Sequence, residues 1–194
     1  MSAARERART FVALPLGPQL GSIVAARCAP LLDEQRFRRP RAEGLHLTLH
    51  FLGDVAREAL HPLAASLRSS LAGVLAPALR LRGAGAFPDA RDARVLWVGV
   101  EERAHPGRLA ACRHAVLEGL SRAGIDTREE AERVFHAHVT VGRPRGRTRM
   151  PAEFAALELA LGWDPVGVEL LESYMGHDGS RYACLEHFPL RTET

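Results

Sequence analysis

The chain has 194 residues, of which 46% are hydrophobic and 25% charged, with a formal net charge of +3. That length suits one domain or two closely joined lobes, and the apolar share is that of a globular protein with a packed core. No apolar run reaches the roughly 20 residues of a membrane span, and every one of the 26 Lys-or-Arg positions is Arg, so phosphate contacts fall to planar guanidiniums.

The first nine residues are Arg-rich without an apolar stretch, so no secretory signal is expected there. Arg9–Leu14 reads as a strand ended by Pro15, and Gly17–Leu32 as a helix with Leu20, Ile23, Val24 and Leu31 on its apolar side. Residues 33–44 read as a charged loop whose Arg36, Arg38, Arg39 and Arg41 could meet an RNA backbone or merely solvent. Leu45–Leu52 reads as a strand, Gly53-Asp54 as a turn, and Arg57–Leu75 as a helix that includes Pro62. Leu79–Phe87 and Arg94–Val100 read as strands about a Pro88-Asp89 turn, and the unbroken apolar run Val95–Val100 suggests a central position.

A second, similar half then begins. It comprises a helix at Pro106–Ala123 stopped by Gly124, a strand at Arg133–Val141, and a loop over Gly142–Met150. A short helix at Pro151–Leu157 follows, then strands Val166–Met175 and Tyr182–Leu190 around Gly176–Ser180. Cys28, Cys112 and Cys184 are odd in number and widely scattered, which argues for a reducing cytoplasm and against a disulfide framework or a zinc site. The expected fold is α+β and bilobed, with two antiparallel-sheet lobes meeting at a central cleft, in a single domain over residues 1–194 with its core at about 9–190.

Two tetrapeptides organise this plan. His46-Leu47-Thr48-Leu49 and His138-Val139-Thr140-Val141 are both His-apolar-Thr-apolar, each inside a strand. Side chains at i and i+2 share a strand face, so each His stands beside its Thr while the apolar pair points to the core. Two imidazoles titrating near neutrality can divide the roles of base and acid. Displacement at phosphorus needs such groups on opposite sides, and strands related by a pseudo-twofold would supply them. The Thr hydroxyls could bond the non-bridging oxygens. His50 shares the His46 face by period two and reads as a rim residue, and His136 shares the His138 face. His136-x-His138 raises a metal site, but no Cys, Asp or Glu stands at a suitable spacing. Arg143 follows the second motif and would reach the cleft mouth. Phe11 and Tyr182 are candidates for base stacking, with plain core packing the alternative.

The motifs resemble those of the 2H phosphoesterase superfamily. Leu45–Val55 is similar to the first motif of the RNA 2′,3′-cyclic phosphodiesterases, also called 2′-5′ RNA ligases, and Phe135–Arg143 to their second. Arg9–Leu14 resembles their first strand, and Leu171-Glu172-Ser173 with Tyr182 their last two. Gly44 stands where the family often has Asn, and Phe37 is the nearest aromatic where it often has Trp. The resemblance implies the bilobed fold, catalysis by His46 and His138, phosphate contacts from Thr48, Thr140 and Arg143, and no metal or cofactor. It implies RNA with 2′,3′-cyclic phosphate ends as substrate, tRNA halves among them, hydrolysed to a 2′-phosphomonoester by a cytoplasmic monomer, with a weaker 2′-5′ ligase activity. The rival expectations are a non-catalytic RNA-end-binding module and a 2H enzyme acting on a small cyclic nucleotide.

Overall fold

The computed structural model describes residues 6–176 and 179–193. Its strands are β1 (Arg7–Pro15), β2 (Phe37–Arg38), β3 (His46–Ala56), β4 (Ala78–Phe87), β5 (Val95–Ala104), β6 (His138–Pro144), β7 (Leu161–Trp163), β8 (Gly167–Gly176) and β9 (Gly179–Pro189). They form one antiparallel sheet in the order β7-β4-β5-β6-β3-β1-β8-β9, with β2 added against β6. The motif strands β3 and β6 lie side by side at its centre. Each is flanked on its outer side by an antiparallel meander: β1, β8 and β9 beside β3, and β5, β4 and β7 beside β6. A pseudo-twofold between β3 and β6 relates the two lobes.

The lobes are not two consecutive halves of the chain. The C-terminal hairpin β8–β9 completes the lobe that begins with β1, because β8 pairs with β1 from Thr10↔Glu172 to Ala13↔Glu169. Strands β4 and β5, from the middle of the chain, complete the other. Helices α2 (Arg57–Leu71) and α3 (Arg108–Arg122) pack together on the outside, where the Ser66 hydroxyl donates to the Gly119 carbonyl at 2.7 Å. Leu63, Leu67 and Leu71 of α2, and Cys112, Val116 and Leu120 of α3, join a core that continues through Leu47, Leu49, Val98 and Val139 of the sheet. Gly124, at φ 84°, ends α3 as its position suggested. Helix α1 (Pro18–Cys28) opens with proline at its first turn and seats Gly21 on the Ala42 carbonyl, where a Cβ would lie 2.2 Å away.

Several local expectations need correction. Gly53-Asp54 is no turn: β3 runs on to Ala56, paired Thr10↔Gly53 and Arg9↔Asp54, and Gly53 absorbs an irregularity at φ 73°. The strand expected over Arg133–Val141 begins only at His138, and Arg128–Glu132 is a short helix, α4. There Arg113 of α3 donates to the Glu130 carbonyl at 2.7 Å and lies 4.6 Å from the Phe135 ring centroid, so tertiary contacts hold this approach out of the sheet. Strand β6 continues to Pro144, which puts Arg143 on a strand and not in a loop. The run Val95–Val100 does take the central position expected of it, between β4 and β6, with Leu96 and Val98 in the core and Trp97 pointing the other way. The two-residue β2 and three-residue β7 were not foreseen. The expected turn Gly176–Ser180 falls partly outside the described residues.

Candidate active site

The central pairing sets the geometry. Leu47 of β3 pairs antiparallel with Val139 of β6. That register puts His46 across from Thr140 and Thr48 across from His138. Leu47 and Val139 are fully buried, so period two turns the two His and two Thr to the opposite face. All four are half-buried.

Both imidazoles are held by the same backbone device. His46 Nδ1–H donates to the Gly44 carbonyl at 2.7 Å, and His138 Nδ1–H to the His136 carbonyl at 2.6 Å. A carbonyl only accepts, so the network assigns the proton to Nδ1 and leaves Nε2 of each neutral ring as its acceptor nitrogen. His46 is held below the ordinary imidazole value by burial, opposed by the Gly44 bond, with His138 and Arg143 lowering it further. His138 is lowered by burial, opposed by the His136 bond, with Arg143 and His136 adding to the fall.

Aromatic walls flank each ring. His46 packs on Phe11 at 4.8 Å and edge-on to Tyr182 at 5.0 Å between centroids. His138 stands edge-on to Phe87 at 5.0 Å and 6.3 Å from Trp97. Phe11 is buried and joins Ala13 and Leu171 in a small cluster on the cleft side, with Tyr182 partly covering it. On the other lobe Gly85 leaves room for the Trp97 indole, since a Cβ there would sit 2.2 Å from it. Gly44 plays a similar part beneath Tyr182, where a Cβ would come within 3.2 Å. Phe87 and Trp97 were not singled out from the sequence. The signal was present, because Trp97 alternates with Leu96 and Val98 and must face away from them.

A cleft of about 470 Å³ opens along this face, lined by His46, Thr48, Thr140, Arg143 and Tyr182 among others. Of the predicted site residues, His138 is not among those lining this cleft, but it stands across from Thr48 in the β3–β6 register and within electrostatic reach of His46. Arg143 is exposed and has no ion-pair partner among the described residues. The Arg cluster of residues 33–44 divides. Arg36 donates to the Thr148 hydroxyl at 2.8 Å, while Arg38 and Arg39 line the cleft, Arg39 paired with Glu34 and Arg38 without an ion-pair partner among the described residues.

His50 is not on the rim. Register irregularities between Val12/Ala13 and Thr10/Phe11 shift the alternation of β3, so His50 is buried on the core face opposite Val12. Phe51 then takes the cleft face.

The chain belongs to the 2′-5′ RNA ligase superfamily of 2H phosphoesterases, whose family model matches residues 18–174. It is 38% identical over 159 residues to the RNA 2′,3′-cyclic phosphodiesterase of Thermus thermophilus, covering 77% of this chain and 73% of that one. It is likewise 38% identical over 112 residues to the Aeropyrum pernix protein of the same name, a match covering 57% of this chain and 58% of that one. The crystal structure of TT0787 of Thermus thermophilus superposes with a TM-score of 0.75 at 26% identity, over 96% of this chain and 100% of that one.

Proposed function

We propose that this chain is an RNA 2′,3′-cyclic phosphodiesterase that works by two-histidine acid–base catalysis. The observation that carries the reading is the matched pair of imidazoles, each with Nδ1 tied to the carbonyl two residues before it, on neighbouring strands of one face. The names of the relatives give the substrate class. In the reaction, one Nε2 takes a proton from water as its oxygen bonds to phosphorus. The P–O3′ bond breaks on the far side, and the other imidazolium gives O3′ its proton. The product keeps phosphate on O2′, and each histidine ends in the protonation state opposite to its start.

Charge on the non-bridging oxygens is met by Thr48 and Thr140 hydroxyls and by the Arg143 guanidinium, whose planar fork suits phosphate. These groups supply the stabilisation, so the scheme runs without a metal. Tyr182, more open than Phe11, offers its ring to the terminal base. Attack by a 5′-hydroxyl in place of water would join two ends through a 2′-5′ bond, as a weaker second activity. Both halves of the site come from one chain, so a monomer suffices. RNA ends left cyclic by cleavage, tRNA halves among them, are the substrates. Free cysteines, two buried and one exposed, suit a reducing cytoplasm.

The test is incubation with EDTA and an oligonucleotide ending in a 2′,3′-cyclic phosphate, with the product isomer identified. A 2′-phosphate end is expected. Binding without turnover would make the protein an RNA-end-binding module, and turnover only after metal is restored would remove the metal-free scheme.

A further inference from the structure

Helix α3 carries a charge on its apolar face. Leu109, Arg113 and Leu117 follow at four-residue spacing and all three are buried, Arg113 to 8% exposure. A leucine at 113 would continue the stripe. A buried guanidinium is costly unless well bonded, and even then it is weak evidence for stability. What it touches gives it another meaning. Its Nη2 donates to the Glu130 carbonyl at 2.7 Å and to the Glu130 carboxylate at 3.3 Å, and the guanidinium lies over the Phe135 ring, 4.6 Å from the centroid. Both partners stand on the approach to β6, and that approach leads into His138.

The approach has little backbone bonding of its own. Among the described residues, Val134, Phe135 and His136 make no backbone–backbone hydrogen bond. The segment is fixed ahead by Arg133 N–H donating to the Glu129 carbonyl, and behind by Val100 N–H donating to the Ala137 carbonyl. Between these points Phe135 is a partly buried anchor and His136 is exposed. Yet the His136 carbonyl is the group that holds His138 Nδ1. The other lobe needs no such anchor. The Gly44 carbonyl belongs to the short turn Ala42–Gly44, where Gly44 N–H donates to the Arg41 carbonyl at 3.0 Å and Leu45 N–H to the Ala42 carbonyl at 3.2 Å. The Leu45 carbonyl in turn accepts from Leu16 N–H at 3.0 Å.

We propose that Arg113 is a positioning residue for His138. By gripping Glu130 and Phe135 it sets where the His136 carbonyl lies, and so aims the His138 ring. His46, tied to a turn with its own backbone bonds, is independent of it. The inference rests on the two-histidine reading above. It adds a side chain of α3 that acts through the backbone and does not touch the reacting atoms.

The experiment pairs kinetics on an oligoadenylate ending in a 2′,3′-cyclic phosphate with nitrogen NMR spectra of the histidine rings. Arg113→Met keeps much of the side chain's length without its donors. It should lower kcat by up to about 100-fold, the cost of a small misplacement of a reacting group, with KM little changed. The His138 ring should lose its Nδ1–H signature while His46 keeps its own. Arg113→Lys keeps a cation over Phe135 and a donor for Glu130, so it should restore part of the loss. Phe135→Leu removes the ring that Arg113 grips. That site is only partly buried, so this variant carries the same test if Arg113→Met fails to fold. Lower melting temperatures with wild-type kcat and an unchanged His138 ring would make Arg113 a packing residue alone and overturn the proposal. Equal changes at both histidines would overturn it too. A wild type that hydrolyses nothing would remove the phosphodiesterase reading, and the ring spectra would then decide whether Arg113 sets His138.

Discussion

The two lobes hold their histidines by the same backbone device and surround them differently. In each, an imidazole Nδ1 is tied to the carbonyl two residues earlier. Around His46 the wall comes from β1 and β9, as Phe11 and Tyr182. Around His138 it comes from β4 and β5, as Phe87 and Trp97. The cleft then extends from the His46 side past Phe51, Arg9 and Arg38, with Arg143 reaching in from β6. The duplicated part ties Nδ1 of each imidazole to a carbonyl and, in the proposed mechanism, sets the acid and the base in line. In that mechanism the unduplicated part would give the substrate a direction, since a pseudo-symmetric site alone could not tell one end of a phosphodiester from the other.

The most direct way to break the comparison is to remove one histidine at a time. His46→Ala and His138→Ala should each lower turnover by about 10²–10⁴-fold, the usual contribution of a positioned acid or base. Melting temperatures should stay close to the wild type. If one variant kept most of its activity, the equivalence of the two lobes would be structural only.

Arg143 tests the asymmetric part. In the proposed mechanism it gives the phosphate a charge-assisted contact, typically worth about 1.5–3 kcal/mol, so Arg143→Ala should lose roughly 10–100-fold in kcat/KM. Arg143→Lys keeps the charge without the fork and should fall between. A pH profile adds a signed test. The proposed mechanism needs one histidine neutral and one protonated, so kcat/KM should follow a bell bounded by the pair's two macroscopic values. Burial lowers both histidines, so the bell should centre below about pH 6.5. Arg143 lowers both further, so Arg143→Ala should move both limbs to higher pH. Limbs that stay in place, or move toward acid, would show that Arg143 does not act on the pair.

How much of this was legible in the residues depends on the range of the interaction. The motif strands, the facing of His beside Thr, and the long helices follow from local periodicity, and they stand in the fold. The lobe composition does not, because β8 and β9 join β1 across most of the chain and only long-range pairing decides it. His50 shows the limit most clearly. Period two puts it beside His46, and the irregular register against β1 undoes that count within two residues. Arg133–Ala137 reads as strand by composition, yet Arg113 and α4 hold it elsewhere. Phe87 and Trp97 were readable from alternation, but only the packing against His138 gives them a meaning.

Smaller effects should come from the threonines. Thr48→Ala and Thr140→Ala each remove one hydroxyl bond, about 0.5–1.5 kcal/mol or roughly 2–10-fold, somewhat more if the phosphate charge is felt fully. Because each Thr stands across from the other lobe's His, the two losses should be similar. Steady-state kinetics on one oligonucleotide decides it, and a Thr variant as inactive as a His variant would require a role beyond phosphate binding.

The smallest expected effect concerns His50, which sharpens the contrast between the cleft face and the core face of β3. Its Nδ1 is buried without a hydrogen-bond partner among the described residues. Burial lowers its pKa, Glu130 opposes this, and Arg113 adds to it. The folded chain therefore resists a proton that the unfolded chain accepts near pH 6.5. A lowered histidine contributes stability above its unfolded value and loses it as pH falls toward the folded one. Below about pH 6.5 the fold should thus weaken, and His50 should carry part of that loss alongside His46 and His138. His50→Leu replaces the unpartnered nitrogen with an apolar group among core leucines. It should leave turnover unchanged, because the side chain is on the face away from the cleft. Its melting temperature should fall less than the wild type's between about pH 7.5 and about pH 5. Equal acid sensitivity in the two proteins would mean that His50 is not held neutral by its surroundings, and a loss of turnover would mean that the core face of β3 reaches the site after all.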